Sequence, residues 1–260
     1  MDLSKYKKRV ATKKAYRKFR REKYEESLVL YNNILETYPE HTNAWFGKAL
    51  VLEAMGKLED ALKFYDKTLE QDPKYFGAWY NRGNTLVKLE RFSEALKSYD
   101  AALNLDPEHF GAWYNRGNTL VKLERFSEAL DSYDEALKLD PKNVEALYNR
   151  GYTLAYLERF SEALDSYDEA LKLDPKNAEL WYNRAKTFEN LDKPQEAIES
   201  YDESLRIDLN FVDAWYRRGM VMVSLGKDQE ALECFDKALE LNPDFKPALK
   251  AKKDISNEKS

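Results

Sequence analysis

Tyrosine followed by asparagine recurs at intervals of 34 residues at four places in this sequence. These pairs are Tyr80 and Asn81, Tyr114 and Asn115, Tyr148 and Asn149, and Tyr182 and Asn183. A side-chain amide donates to a peptide carbonyl and accepts from a peptide N–H at once, while a tyrosine ring offers apolar area together with a hydroxyl. This chemistry suits recognition of an extended polypeptide better than bond making.

The residues that commonly carry catalysis are few and far apart in this sequence. His41 and His109 are its only histidines, and Cys234 is its only cysteine. Neighbouring carboxylates such as Asp134 and Glu135 recur with the same interval of 34, which indicates solvated helix faces rather than acid–base pairs. A glycine-rich phosphate loop is absent from the sequence. We therefore expect no enzyme activity, no metal site and no cofactor.

The tryptophans indicate which elements must position the recurring side chains. The sequence has five, separated by 34, 34, 68 and 34 residues, namely Trp45, Trp79, Trp113, Trp181 and Trp215. A spacing that is always a multiple of 34 indicates tandem copies of one supersecondary unit, each burying its apolar face against the next. Placing each tryptophan at position 4 defines seven repeats of 34 residues, of which the first is degenerate.

Within each repeat, two stripes of apolar and small residues have helical spacing. Positions 4, 8 and 11 carry mostly tryptophan, a small residue and a large apolar residue, and positions 20, 24 and 27 carry alanine, an aromatic residue and a small residue. Steps of three and four place such side chains on one helix face, so each repeat is predicted to be a helical hairpin with its tryptophan buried.

Proline at position 32 is expected to end the second helix of the hairpin, because proline lacks an amide proton and disfavours helix in the residue before it. Leu209 replaces this proline in the repeat that begins at Ala178. We therefore expect a less sharply defined exit from that repeat.

The signature W-x2-x-G-x2-L, then A-x3-Y-x2-A, then P, at a period of 34 residues, resembles the tetratricopeptide repeat. The resemblance is strong over residues 42–245 and weak over 8–41. It implies an all-α fold, a right-handed α-solenoid superhelix of tandem antiparallel helix hairpins, with a concave groove that binds peptides. The implied organisation is a basic extension at 1–7, a degenerate repeat at 8–41, full repeats at 42–75, 76–109, 110–143, 144–177, 178–211 and 212–245, and a polar capping helix with a frayed tail at 246–260.

The resemblance also implies that positions 2, 5, 6, 9, 12 and 13 of each first helix line the groove. The candidate peptide-binding residues are therefore the tyrosines, asparagines and cations at these positions: Tyr80, Asn81, Asn84, Lys88, Tyr114, Asn115, Asn118, Lys122, Tyr148, Asn149, Tyr152, Tyr182, Asn183, Lys186, Tyr216 and Arg217. Two alternatives stay open. In the first, the tyrosines are partly buried between adjacent first helices instead of binding a ligand. In the second, asparagine at position 6 is a general feature of this repeat family.

Some relatives bind the C-terminal carboxylates of chaperones through lysines at positions 2 and 5. Here position 5 is aromatic in every full repeat, and position 2 carries no lysine there. A chaperone-tail clamp is therefore not expected. Lys88, Lys122, Lys186 and Arg217 still give the groove positive charge, which is compatible with a partly acidic peptide.

The amino-terminal segment differs from the rest of the chain in charge. Residues 1–23 hold 11 lysines and arginines against two acidic residues, a net charge of +9, whereas the whole chain carries −5. Cations interleaved with aromatic rings suit nucleic-acid binding, which we expect through this arm only. In the competing interpretations, Tyr6, Val10 and Phe19 cap the first repeat while the cations face water, or the arm folds against the acidic remainder of the chain.

Composition limits the cellular setting and the kinds of partner. The single cysteine excludes an internal disulfide framework, and no apolar run reaches about 18 residues, the length that a membrane-spanning helix needs. We therefore predict a cytoplasmic protein whose partner is another protein or peptide, with no membrane contact. The sequence does not determine the oligomeric state.

Overall fold

The computed structural model describes residues 3–258, and every regular element within this range is an α-helix. None of these helices is long and apolar enough to cross a membrane. The chain divides into two compact units, residues 1–139 and 140–260, called here the N-terminal unit and the C-terminal unit. The predicted all-α class, built from tandem helix hairpins, is confirmed.

The described residues of the N-terminal unit form helices α1 (Leu3–Phe19), α2 (Tyr24–Thr37), α3 (Thr42–Ala54), α4 (Leu58–Gln71), α5 (Phe76–Lys88), α6 (Phe92–Leu105), α7 (Phe110–Lys122) and α8 (Phe126–Leu139). Those of the C-terminal unit form α9 (Val144–Tyr156), α10 (Phe160–Leu173), α11 (Ala178–Asn190), α12 (Pro194–Ile207), α13 (Val212–Ser224), α14 (Asp228–Leu241) and α15 (Lys246–Glu258). Within each unit, successive helices pair as hairpins, and each second helix also contacts the first helix of the next hairpin.

The positions of the first and last helices can be compared with the predicted organisation of the chain. Helix α1 begins at Leu3, inside the segment 1–7 that the sequence sets apart as an extension. Helix α15 packs against α14, as a capping helix would. The expected fraying of the tail falls largely on residues 259 and 260, which lie outside the described residues. The exact repeat boundaries stay a prediction.

The second-helix aromatic residue, rather than the tryptophan, is the fully buried ring of each repeat. Tyr133 is about 1% exposed, whereas Trp113 is only half-buried. The indole Nε1 of Trp113 donates to the carbonyl oxygen of Pro107 at 2.8 Å, which keeps one edge of the ring at the surface. The predicted burial of the tryptophans is therefore only partial, because position 4 lies in the first helical turn, beside the loop that enters the helix.

Close packing explains why position 8 must be small. A Cβ atom added to Gly117 would lie 2.6 Å from Cε1 of Tyr133, a distance that real Cβ atoms do not show. Gly83 meets Tyr99 in the same way at 2.7 Å. The glycines thus let the two helices of a hairpin approach until the tyrosine ring fills the space between them.

The exit from the repeat that begins at Ala178 is as well defined as the others, so the expectation of a blurred exit is wrong. Helix α12 ends at Ile207, the same position in its repeat at which α10 ends. The carboxylate of Asp208 accepts from the N–H of Asn210 at 2.9 Å, and the carbonyl of Leu209 accepts from Trp215 Nε1 at 2.9 Å. The aspartate forms the turn without proline because its side chain satisfies the backbone of that turn.

Candidate functional site

In the N-terminal unit, several predicted binding residues come together in one cleft along the first helices α3, α5 and α7. The cleft has a volume of about 370 Å³. We call it the polar cleft, and its lining consists of Glu53, Asn84, Val87, Lys88, Tyr99, Asn115, Asn118, Thr119 and Lys122. Amide and ammonium groups of two successive repeats, with the carboxylate of Glu53 from the repeat before them, therefore face one shared space.

Glu53 is a residue of the polar cleft that the sequence prediction missed. Its side chain is only 12% exposed and pairs with Lys88 Nζ at 2.7 Å, while the hydroxyl of Tyr65 donates to its other oxygen at 2.6 Å. Burial, followed by the charge of Glu53, raises the pKa of Tyr65, so its hydroxyl stays protonated and acts as a donor. The sequence signal was an acidic residue at position 12, where the next two repeats carry valine.

The two lysines of the polar cleft differ in what neutralises them. Lys88 has Glu53, but the equivalent position beside Lys122 is occupied by Val87. Lys122 is exposed and makes no ion pair with any of the described residues. The cleft therefore presents one cation whose charge the protein itself does not balance.

The asparagine amides of this unit bond largely to the protein. Asn84 Oδ1 accepts from the Tyr99 hydroxyl at 2.8 Å and from Asn115 Nδ2 at 3.0 Å. Asn118 Oδ1 accepts from the Tyr133 hydroxyl at 2.7 Å, and Asn81 Nδ2 donates to the carbonyl of Gly77 at 2.7 Å in its own helix. These bonds orient the amides and join neighbouring helices.

The tyrosines at position 5 pack as half-buried rings between other rings. The ring of Tyr80 lies 4.8 Å from His109 and 6.2 Å from Tyr99, and Tyr114 lies 6.2 Å from Tyr133. Neither Tyr80 nor Tyr114 belongs to the lining of the polar cleft. This geometry favours the alternative in which the tyrosine column is partly buried between helices.

In the C-terminal unit, a second cleft is lined mainly by aromatic and amide side chains. It has a volume of about 170 Å³, and we call it the aromatic cleft. Its lining consists of Tyr152, Ala155, Tyr156, Tyr167, Asn183, Lys186, Thr187 and Asn190. Tyr152 and Tyr156 are 47% and 59% exposed, so their rings stand at the surface where the N-terminal unit has asparagine and lysine.

The remaining predicted residues on α9 and α11 are held within the C-terminal unit. Asn183 is 7% exposed and donates to the Tyr148 hydroxyl at 3.3 Å and to the carbonyl of Glu179 at 3.0 Å. The hydroxyl of Tyr148 itself donates to the Glu179 carboxylate at 2.6 Å. Asn149 is half-buried, and its backbone carbonyl accepts from Thr153 at 2.7 Å.

A third cleft, of about 420 Å³, lies between α11 and α13 and contains Tyr216 and Arg217. Here Glu189 repeats the role of Glu53: it accepts from the Tyr201 hydroxyl and faces Arg217 NH1 at 3.6 Å. Lys186 Nζ lies 5.5 Å from the centre of the Tyr182 ring, and burial lowers the pKa of this lysine, with Arg217 adding to the effect.

An arginine at position 7 connects successive repeats, and the sequence prediction did not include it. In the N-terminal unit Arg116 Nε donates to Asp100 of the preceding repeat at 2.7 Å, and its NH1 donates to Ser132 at 2.6 Å. The same bonds occur at Arg82, Arg184 and Arg218, with Cys234 in place of the serine at Arg218. Arginine, serine and aspartate recurring at positions 7, 23 and 25 were the available signal.

The histidines are structural parts of separate repeats. His109 Nδ1 accepts from the N–H of Ala112 at 3.1 Å, so it caps the start of α7. Thr12 donates its only hydroxyl proton to the carbonyl of Lys8, so the 2.9 Å bond between Thr12 and His41 Nε2 must be donated by the imidazole. Among the described residues, no group of three metal-ligating side chains occurs.

Antiparallel helix hairpins stacked in tandem, with clefts along their first helices, define a helical repeat protein of the class that serves as a scaffold for protein–protein interaction. Family models described as tetratricopeptide repeat match residues 12–76, 80–144, 116–178 and 148–210, and another of that description matches 212–245. The chain belongs to the tetratricopeptide repeat family. No curated protein matches this sequence significantly.

Solved structures agree with this assignment. YrrB, described as a tetratricopeptide repeat protein with an unusual peptide-binding site, is 30% identical over 73% of this chain and 97% of its own, with a TM-score of 0.64. The C-terminal part of a repeat protein from Cytophaga hutchinsonii is 17% identical, covering 92% of this chain and 98% of that one, with a TM-score of 0.80. A repeat protein from Parabacteroides merdae is 18% identical, covering 95% and 97%, with a TM-score of 0.64.

Proposed function

We propose that this chain is a non-enzymatic scaffold that binds an extended peptide segment of another protein along its first helices. The family and the similarity to YrrB, whose description names a peptide-binding site, support the proposal. The observation that carries it is the polar cleft, where Lys122 stands without an ion-pair partner among the described residues, beside oriented amides. Such a cleft suits a peptide with a carboxylate side chain, because a desolvated ion pair adds specificity to backbone contacts.

The hydrogen bonds in the structure change the role that the sequence predicts for the asparagines. Because Asn84 already accepts a bond from the Tyr99 hydroxyl, its amide N–H group is the one that can donate to a peptide carbonyl. Asn183 is almost fully buried and acts as a positioning residue for Tyr148. The ligand contacts in the N-terminal unit are therefore assigned to Asn84 and Lys122, ahead of Asn81, whose amide bonds within its own helix.

Acid–base or nucleophilic catalysis has little support in this arrangement. The buried carboxylates Glu53 and Glu189 are each satisfied by a tyrosine and a cation. Cys234 is buried, and burial raises the pKa of its thiol, which disfavours the reactive thiolate. We place the protein in the cytoplasm, where a single reduced cysteine needs no partner. A chaperone-tail clamp is not part of the proposal, since the lysines it requires are replaced in the full repeats.

The test compares two charge reversals in the full-length chain. Lys122→Glu places a carboxylate in the polar cleft, whereas Lys97→Glu makes the same change on the exposed face of α6. A partner is first identified by affinity capture from nuclease-treated native extract, and its binding segment is mapped with synthetic peptides. We expect Lys122→Glu to weaken binding of that peptide about tenfold or more, and Lys97→Glu to leave it unchanged.

Circular dichroism would verify that both variants are folded. Equal affinities of the wild type and the Lys122→Glu chain for the mapped peptide would rule out the polar cleft as its binding site.

A further inference from the structure

The degenerate first repeat contains a cleft that the sequence-based site prediction did not include. It has a volume of about 530 Å³ and lies between α1 and the start of α3 in the N-terminal unit. We call it the basic cleft, and its lining consists of Lys8, Arg9, Thr12, Lys13, Tyr16, His41 and Asn43. Three of its seven lining residues are lysine or arginine, and none is acidic.

The cations of this cleft are not neutralised by the protein. Among the described residues, Arg9 and Lys13 are exposed and have no ion-pair partner, while Lys8 Nζ lies 4.8 Å from the centre of the Tyr38 ring. Among the side chains of α1 that the structure describes, the only ion pair is that of Lys18 with Glu26, at 2.5 Å, at the far end of the helix. The described cations of the basic cleft are therefore not paired with acidic residues of the chain, and their charge is available to a partner.

Helix α1 packs as the first helix of a repeat, but its apolar residues do so unequally. Ala15 is fully buried and Phe19 joins the core around Tyr31, whereas Tyr6 and Val10 are 49% and 47% exposed. Capping by Tyr6 and Val10 is therefore wrong, and capping by Phe19 is confirmed. The core contacts hold α1 in place, so the basic cleft is a built surface of the N-terminal unit rather than a mobile tail.

The lining of the basic cleft occupies the same repeat positions as the candidate peptide groove. Arg9, Thr12, Lys13 and Tyr16 stand at positions 2, 5, 6 and 9 of the first repeat. Asn84 and Asn115 of the polar cleft stand at positions 9 and 6 of later repeats in the same unit. The surface that would hold a peptide in the full repeats thus has its counterpart in the first repeat, where Lys13 replaces the asparagine of position 6 and Arg9 replaces the glycine that the second and third full repeats carry at position 2.

We propose that the basic cleft docks an acidic stretch of the partner polypeptide, through the positive charges of Lys8, Arg9 and Lys13. This inference rests on the proposed peptide-binding function and names the charge of one part of the ligand. A polypeptide fits better than a nucleic acid because the cleft encloses a volume of side-chain scale and offers one tyrosine ring, Tyr16, for stacking. Apolar side chains beside the carboxylates would contact that ring and the aliphatic parts of the lysines.

The chain offers a matched control on the same helix. Arg9 and Lys13 line the basic cleft, whereas Lys14 and Arg17 are also exposed but lie outside its lining. The double variants Arg9→Glu/Lys13→Glu and Lys14→Glu/Arg17→Glu therefore change net charge and α1 charge identically. Only the first pair places the new carboxylates in the cleft.

The experiment measures fluorescence anisotropy of a labelled ten-residue glutamate peptide with the full-length wild type and both variants, at low salt. We expect Arg9→Glu/Lys13→Glu to weaken binding about tenfold or more and Lys14→Glu/Arg17→Glu to weaken it less than about threefold. Equal losses in both variants, or no binding to the wild type, would overturn the proposal. A labelled ten-nucleotide thymidine strand that binds more tightly than the peptide would also overturn it, in favour of a nucleic-acid surface.

The test of the basic cleft can fail independently of the test of the polar cleft. A chain carrying Lys122→Glu keeps the basic cleft intact, so it should still bind the glutamate peptide even where binding of the mapped partner peptide is lost. Conversely, failure of the glutamate peptide to bind, with the partner effect of Lys122→Glu intact, would refute the acidic-segment inference and leave the proposed function standing.

Discussion

At the scale of single residues, the small residue at position 8 accompanies a change in the hydrogen-bond partner of the buried tyrosine. Where position 8 is glycine, the hydroxyl donates to asparagine at position 9, as in Tyr99 to Asn84 and Tyr133 to Asn118. Where position 8 is alanine, it donates to glutamate at position 12, as in Tyr65 to Glu53 and Tyr201 to Glu189. The available acceptors change together with position 8, because the two alanine repeats carry Leu50 and Lys186 at position 9, and the two glycine repeats carry valine at position 12.

This pairing gives a prediction for the third full helix hairpin of the N-terminal unit. Gly117→Ala should lower the free energy of unfolding by about 1–3 kcal/mol, because the new methyl overlaps the Tyr133 ring and draws its hydroxyl away from Asn118. Adding Val121→Glu at position 12 should recover part of this loss by supplying the acceptor that the alanine-containing repeats use. Urea unfolding followed by circular dichroism measures both effects.

Val121→Glu alone is the control for this pair, and by itself it should not stabilise the protein. Losses that simply add in the double variant would show that the choice of acceptor is independent of the residue at position 8.

At the scale of helices, the arginine at position 7 joins three helices. Arg116 on α7 bonds Asp100 on α6 and Ser132 on α8, and its guanidinium carbon lies 5.8 Å from the centre of the Trp113 ring. The partial exposure of Trp113 is consistent with this contact, because its outer face lies near the Arg116 guanidinium, which also bonds to the neighbouring helices. Lys252 of α15 continues the pattern by pairing with Asp236 of α14.

A double-mutant cycle measures what this connection contributes. We expect Arg116→Ala and Asp100→Ala to show a coupling free energy of about 0.5–1 kcal/mol, a modest value because Asp100 is half-exposed to solvent. The pair of Arg125 and Glu128 at the start of α8 is the matched comparison, since it joins an arginine to a carboxylate without linking two helices. We expect a smaller coupling free energy for this pair. An equal or larger value would mean that the ion pair between repeats contributes no more to stability than an ion pair within one repeat.

At the scale of the whole molecule, the terminal helices at the two ends of the repeat array differ in what they bury and what they expose. At the amino-terminal end α1 leaves Tyr6, Val10 and most of its cations exposed. At the carboxyl-terminal end α15 buries Ala248 and Ile255 in the same core as Phe235 and presents lysines to solvent. A repeat array needs such a polar end because each repeat buries its apolar face only against its neighbours.

Removing α15 should therefore destabilise the C-terminal unit and promote association. A chain ending at residue 245 exposes the apolar face of α14, so we expect a lower melting temperature and self-association, measured by circular dichroism and light scattering after size-exclusion chromatography. Ile255→Asp should reproduce the loss of stability in the full-length chain, and Ser256→Asp, one residue further along, should not. A truncated chain that stays monomeric and melts like the wild type would contradict the capping role of α15.

Most of the fold was predictable from the sequence because a 34-residue period in tryptophan, tyrosine, alanine and proline reports the same local packing many times over. The helix pairs, the small residues at position 8 and the buried position 24 all follow from helical spacing. The burial of tryptophan did not follow, because the same spacing fits a ring at the core and a ring at its edge. Nor did the exit at Leu209, where an aspartate makes the turn alone.

The sequence by itself determined the family, the repeat length and the chemical types available on the first helices. Only the tertiary structure decided which side chains bond within the protein, such as Asn183 and Glu53, and which have no ion pair with the described residues, such as Lys122, Arg9 and Lys13. The physical reason is that a polar side chain becomes a binding group only if no neighbour already satisfies it. Those neighbours come from other helices and other repeats, so their positions cannot be read from one repeat of the sequence.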